Sequence, residues 1–105
     1  MARRIVRSSA FLADWRGFAR YCAAYDLHFA ETQIQRLTFA VDRLIGDSPL
    51  AWAFFVHTGE PYRAYLFRAG RRTQFWIVYS VEEDDGTINL LRLWNAARDP
   101  RRFSV

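Results

Sequence analysis

The hydrophobic pattern of this chain changes period once, around Pro49, and that change constrains the fold more than any other feature. Upstream, Phe11, Leu12, Trp15, Phe18, Ala19 and Cys22 recur at helical spacing, with Arg16 and Arg20 on the other face. Ala30, Ile34, Leu37, Val41 and Leu44 then draw one apolar stripe along a second helix. Ser8-Ser9 and Asp26 are suited to cap the two starts, because their side-chain oxygens can accept the free N–H groups of a first helical turn. Gly46 is a natural stop, and Pro49 blocks continuation. With so few residues between them, the two helices should form an antiparallel hairpin.

Downstream the chemistry becomes strand-like. Residues 52–58 are aromatic and β-branched, Gly59-Glu60-Pro61 is a turn, and residues 62–67 form a second candidate strand. Ala69-Gly70-Arg71-Arg72 interrupts it. Residues 73–81 are the longest β-type run, with Phe75, Ile77, Tyr79 and Val81 on one face and Trp76, Val78 and Ser80 on the other. Glu82-Glu83-Asp84-Asp85-Gly86 reads as an acidic hairpin turn, and residues 87–94 as a further strand before a polar, arginine-rich tail. Ile5 and Val6 read as a short opening strand. The expected order is β-α-α-β-β-β, with an extra short strand near Phe54 left open. This is an α+β fold in which a two-helix antiparallel hairpin packs on one face of a C-terminal antiparallel sheet.

A length of 105 residues fits one domain, 1–105, and a hydrophobic fraction of 51% is enough to offset the entropy of ordering it. Four Trp, five Tyr and nine Phe allow a dense core and leave rings over for an interface. The formal net charge is +4 and all 15 basic residues are arginine, a balance that suits nucleic acid or an acidic protein partner. GC-rich coding explains arginine over lysine as readily as its planar, bidentate fork does. The single Cys22 rules out a disulfide within the chain, and its place on an apolar helix face reads as a buried thiol. No apolar run approaches the roughly 20 residues that span a bilayer. The basic start Met1-Ala2-Arg3-Arg4 lacks the apolar stretch of a signal peptide, so a cytoplasmic protein without membrane contact is expected. His28, His57 and the run Glu82 to Asp85 lack metal-ligand spacing, and neither metal nor cofactor is expected.

Three segments carry a resemblance. Pro61-Tyr62-Arg63-Ala64-Tyr65-Leu66-Phe67, then Phe75-Trp76-Ile77-Val78-Tyr79-Ser80-Val81, then Leu90-Leu91-Arg92-Leu93-Trp94-Asn95-Ala96-Ala97-Arg98-Asp99-Pro100, in this order, resemble the RelE/ParE superfamily of toxins from type II toxin–antitoxin (plasmid stabilisation) modules. Members show a Tyr-Arg strand, a strand ending in Ile-x-Tyr-x-Val, an acidic turn, and a strand running into Ala-Arg-Asp-Pro or a close relative. The resemblance implies a growth-inhibiting toxin that a cognate antitoxin neutralises, as a homodimer or as a heterotetramer with that antitoxin. It leaves the target open between DNA gyrase, bound without cleavage, and ribosome-bound mRNA, cut by an endoribonuclease, with a relative that has lost toxicity and serves only as a binding partner as the third reading.

Metal-free RNA cleavage needs a base for the 2′-hydroxyl, an acid for the leaving oxygen and cations on the phosphate. By the resemblance, Arg63 and Arg98 stand at basic positions, and His57 is the candidate acid. Tyr65 and Trp76, however, stand where RNA-cleaving members prefer cations, and Phe103, Ser104 and Val105 where a catalytic tyrosine sits. A gyrase-binding toxin is therefore the first expectation. Arg63, Trp76, Arg98, Arg101 and Arg102 are the candidate target- or phosphate-binding residues, and Leu37, Val41 and Leu44 the candidate antitoxin contact.

Overall fold

A computed structural model describes residues 4–105. The basic start read as too polar for a signal peptide lies largely outside those residues.

The element order follows the change of period. Strand β1 (Ile5–Arg7) leads into helix α1 (Ser9–Ala23), which Ser8 caps by accepting from the Phe11 N–H at 3.0 Å. Helix α2 (Leu27–Phe39) starts on Asp26, whose carboxylate accepts from the Phe29 N–H at 3.1 Å. Strands β2 (Arg63–Ala69), β3 (Thr73–Val81) and β4 (Ile88–Asn95) follow. The sheet has four strands in the order β1-β4-β3-β2. The three C-terminal strands are antiparallel, while β1 lies parallel to β4 through the register Ile5↔Ile88, so the sheet is mixed. The expected α+β, β-α-α-β-β-β layout is the fold of the chain.

The helical hairpin covers one face of the sheet. Phe11, Phe18 and Cys22 of α1 and Leu37 of α2 are buried against Phe67, Ile77, Tyr79, Leu90 and Leu93. The second helix does not run regularly to Gly46. Residues Ala40–Ile45 form a π-helical turn, closed by the Gly46 N–H donating to the Val41 carbonyl at 3.0 Å. The wider turn buries Ala40, Val41 and Ile45 and leaves Leu44 half-buried. Gly46 keeps an ordinary helical conformation, and its role is one of space, because a Cβ there would collide with the Asp42 carbonyl.

Residues 52–58 correct the sequence expectation. They hold one isolated bridge, Phe54↔Arg63, and a 3-10 turn at Val56–Thr58. The segment crosses the β2 edge: Trp52 packs on the helix side of the sheet and Phe55 on the other.

A bulge shapes β4. Val78 pairs with Arg92 but Tyr79 pairs with Leu90, which leaves Leu91 as an extra residue. The inserted residue lets Ile88, Leu90 and Leu93 all join the helix-side core, although their spacing does not alternate. Past β1, the outer edge of β4 is covered by α1: Ser8 Oγ donates to the Leu91 carbonyl at 3.0 Å, and Asp14 accepts from the Leu93 N–H at 2.9 Å.

Candidate functional site

The sheet face away from the helices is thinly covered. Ala64 and Val78 are buried there beneath Phe55, with Tyr62, Trp76 and Phe103 partly buried around them. Short side chains at Ala64 and Val78 leave room for the tail to return. Asp99 caps the 3-10 turn Pro100–Arg102 by accepting from the Arg101 N–H at 3.0 Å, and this turn carries Phe103 back over the sheet. Its ring lies 5.1 Å from Phe55 and 5.3 Å from Trp94. Trp94 stands opposite Trp76 in the β3–β4 register and is 2% exposed. Its Nε1 is buried with no hydrogen-bond partner among the described residues, a position that costs about 1–3 kcal/mol of lost solvation.

Two guanidinium groups flank that indole. Arg98 lies 4.0 Å from the Trp94 ring centroid and Arg92 5.3 Å, close enough for cation–π attraction. The two groups differ in what else holds them. Arg92 pairs with Asp14 at 2.7 Å and donates to the Ser104 carbonyl at 2.8 Å, so it ties α1, β4 and the tail together. Arg98 is exposed, and among the described residues its guanidinium has no hydrogen-bond or ion-pair partner. Asn95 forms the turn that presents it: its carbonyl accepts from the Arg98 N–H and its Oδ1 from the Ala97 N–H.

The structure does not bring Arg63 to this face. Arg63 pairs with Tyr79, which belongs to the helix-side core, and its guanidinium donates to the Trp52 carbonyl at 2.7 Å and the Leu50 carbonyl at 3.3 Å. The same group stacks on Phe54 at 4.2 Å. It therefore fastens the 50–54 crossing segment to β2. Tyr79 works beside it, donating its hydroxyl to the Pro49 carbonyl; burial pushes its pKa up to about 12, against a smaller lowering by the Arg63 charge. Arg63 and Arg98 thus lie on opposite faces and cannot grip one phosphate together.

The remaining candidates divide as follows. Trp76 is half-buried on the tail-covered face, and His57 borders that face as an exposed ring 5.1 Å from Phe55. Arg101 is exposed but forks onto Asp99 at 3.0 Å, which holds that carboxylate below the usual range. Arg102 is exposed. Leu37 and Val41 are fully buried, so the expectation that they contact a partner is corrected: the sheet already covers them. Leu44 alone of that trio reaches the surface.

Leu44 opens onto a groove the sequence did not reveal, of about 470 Å³, between α2 and the free edge of β2. Phe39, 55% exposed, forms one wall and Tyr65 and Leu66 the other. Arg36 closes one end by donating to the Arg68 carbonyl at 2.8 Å. Among the described residues the isolated bridge at Phe54 pairs this edge, and beyond it no strand covers β2, whose Arg68 carbonyl is taken by Arg36. The signal in the sequence was Phe39, an apolar ring off the buried stripe.

Among the described residues no helix is long and apolar enough to cross a membrane, and no three His, Cys, Asp or Glu side chains gather as a metal site requires. Compared with family models and with curated proteins, the chain matches none.

Proposed function

We propose that this chain is the toxin of a type II toxin–antitoxin pair, a cytoplasmic protein that arrests growth by binding DNA gyrase as ParE-like toxins do. The observation that carries the choice of target is the separation of the two arginines. With Arg63 engaged by backbone carbonyls on the helix-covered face, an RNA-cleaving constellation would lack one of its cations. What remains on the other face is a binding surface: the half-exposed Trp76 and Phe103 beside Arg98, which the buried Trp94 ring supports, with Arg102 nearby in the tail. Aromatic rings with an arginine are the residue types that dominate binding energy at protein interfaces.

A cognate antitoxin fits the opposite side of this reading. The groove between α2 and the β2 edge can take an extended segment as an added strand, with Phe39 and Leu44 receiving its apolar side chains. The excess of arginine favours an acidic partner.

Induction of the chain in bacteria tests the proposal directly. The expected result is growth arrest with loss of gyrase-dependent supercoiling and unchanged mRNA ends. Arg98→Ala should weaken inhibition of purified gyrase about 10-fold, the ordinary cost of removing an interface arginine. Codon-aligned mRNA cuts with unaffected supercoiling would replace gyrase by ribosome-bound mRNA as the target. Growth unchanged by induction would remove the toxin reading altogether.

A further inference from the structure

Three adjoining recesses run along α1 on the side facing the β2–β3 turn, and Tyr21 lines all of them. The first, about 460 Å³, is bounded by Tyr21 and Phe29 on the helices, by Tyr25 in the turn between them, and by Arg71 and Arg72 on the β2–β3 turn. The second, about 340 Å³, continues over Gln74 and Asn95. The third, about 310 Å³, ends at Arg98. Shared walls make these one groove, with arginines at both ends and rings and side-chain amides between.

The two tyrosines are not spent on the core, while Phe29 packs against it. Tyr25 is 71% exposed and Tyr21 41% exposed, and they meet edge to face at 5.3 Å. Phe29 extends the series, its centroid 6.2 Å from Tyr25. Gly70 turns the chain beside them at φ +86°, with the Phe29 ring as its neighbour. The Tyr21 hydroxyl lies 3.4 Å from Thr73 Oγ1, which joins the platform to the start of β3. The charge is one-sided. Arg71 and Arg72 are exposed, and the carboxylate on the wall, Asp14, is already paired with Arg92.

We propose that this groove binds single-stranded nucleic acid, with bases stacked on Tyr21 and Tyr25 and phosphates held by Arg71, Arg72 and Arg98. A planar base uses an exposed ring face irrespective of its identity, and a flexible backbone brings a phosphate to each cation. An acidic peptide would satisfy the arginines, but it would use the tyrosines only if aromatic side chains happened to fall at their spacing, whereas every nucleotide carries a planar base. A duplex keeps its bases stacked inside and presents only phosphate. The proposal shares Arg98 with the surface of the toxin reading, but its tests fall on Tyr25, Arg71 and Arg72, which that reading does not use.

The test is fluorescence anisotropy of the purified chain with a labelled oligouridylate and a labelled oligothymidylate, each of about 10 nucleotides, a usual length for one such site. The expected result is saturable binding at low salt that Tyr25→Ala weakens by about 5- to 100-fold, the range for losing one stacked base. Tyr25→Phe should bind as the wild type, because the ring is kept. Arg71→Gln with Arg72→Gln should reduce the slope of log affinity against log salt by about 1.4, or roughly 0.7 for each single-strand phosphate contact. Arg43→Gln, at the other end of the helical hairpin, should leave affinity unchanged after its single charge is allowed for. Circular dichroism checks that each variant is folded. Absence of binding by both probes at low salt would overturn the proposal, as would binding indifferent to Tyr25→Ala. Polyglutamate that displaces the probes and binds Tyr25→Ala as well as wild type would assign the groove to an acidic peptide instead.

Discussion

The two faces of the sheet are built to different standards. On the helix side, Phe11, Cys22, Leu37, Val41, Ile77, Tyr79 and Leu90 are wholly inaccessible, and whole helices hold them so. On the other side, Ala64, Val78 and Trp94 lie beneath Phe55 and the returning tail, and the rings of Tyr62, Trp76 and Phe103 around them stay partly open. A face covered by two helices cannot be uncovered without unfolding the chain. The cover formed by residues 99–105 rests on the Phe103 ring and the Arg92–Ser104 hydrogen bond, and we expect it to be exchangeable for a partner. The division explains why Arg63, on the first face, is structural and Arg98, beside the second, is available.

The sharpest way to break this comparison is to remove one ring from each face. Phe18 is 3% exposed and meets Phe67 and Phe75 edge to face at 6.0 and 5.1 Å. Phe18→Ala should cost about 3–5 kcal/mol by chemical denaturation, the range for emptying a rigid core site. Phe103→Ala should cost no more than about 1–2 kcal/mol, since its ring is partly in water and its neighbours can relax. Equal losses would show the tail to be as integral as the helices, and the idea of an exchangeable cover would go with them.

The next test concerns the link between the faces. Asp14 sits on α1, yet it receives both the Arg92 guanidinium, at 2.7 and 3.1 Å, and the Leu93 N–H, at 2.9 Å. Its side chain is 18% exposed, so little solvent screens the pair. Asp14→Ala would strand a guanidinium and an edge N–H together and should cost about 2–3 kcal/mol. Arg92 also holds the Ser104 carbonyl, so the same substitution should speed hydrogen exchange in the tail without speeding it in α2. Uniform acceleration throughout the chain would mean that the two faces unfold as one unit.

How far the sequence reveals this division varies along the chain. The β3 strand was legible in full, with its ends and the sorting of Phe75, Ile77 and Tyr79 from Trp76 and Val78, because a long unbroken β-type run fixes the element and successive side chains of a regular strand alternate faces. Segment 52–58 was misread because aromatic and β-branched residues favour strands wherever burial is the only issue. What decides its course is Trp52, whose indole donates to the Leu44 carbonyl at 2.8 Å, and Phe55, drawn to the other layer. The apparent equivalence of Arg63 and Arg98 failed for a related reason. A residue's type shows that it can hold a phosphate, whereas its face depends on register, and the register of Arg63 against Tyr79 assigns it to the helix side. The bulge at Leu91 was equally hidden, since Leu90-Leu91-Arg92-Leu93 has no period to read.

The mildest prediction probes the helix-covered face through one hydrogen bond. Tyr79 is wholly buried and donates to the Pro49 carbonyl, and burial raises its pKa from 10.0 to about 12. A group whose folded pKa lies above its unfolded value contributes its full stability below the unfolded value and loses it as pH rises through the folded one. Between pH 10 and pH 12 the unfolded chain releases the Tyr79 proton while the folded chain retains it, so stability should fall across that window by on the order of 2 kcal/mol. Tyr79→Phe removes the proton from both states. It should cost about 1–2 kcal/mol at neutral pH, where the Pro49 carbonyl loses its donor, and should flatten the alkaline decline. If the decline were as steep in the variant, the hydroxyl would already reach water in the folded chain, and the helix-covered face would be no better sealed at its rim than the tail-covered one.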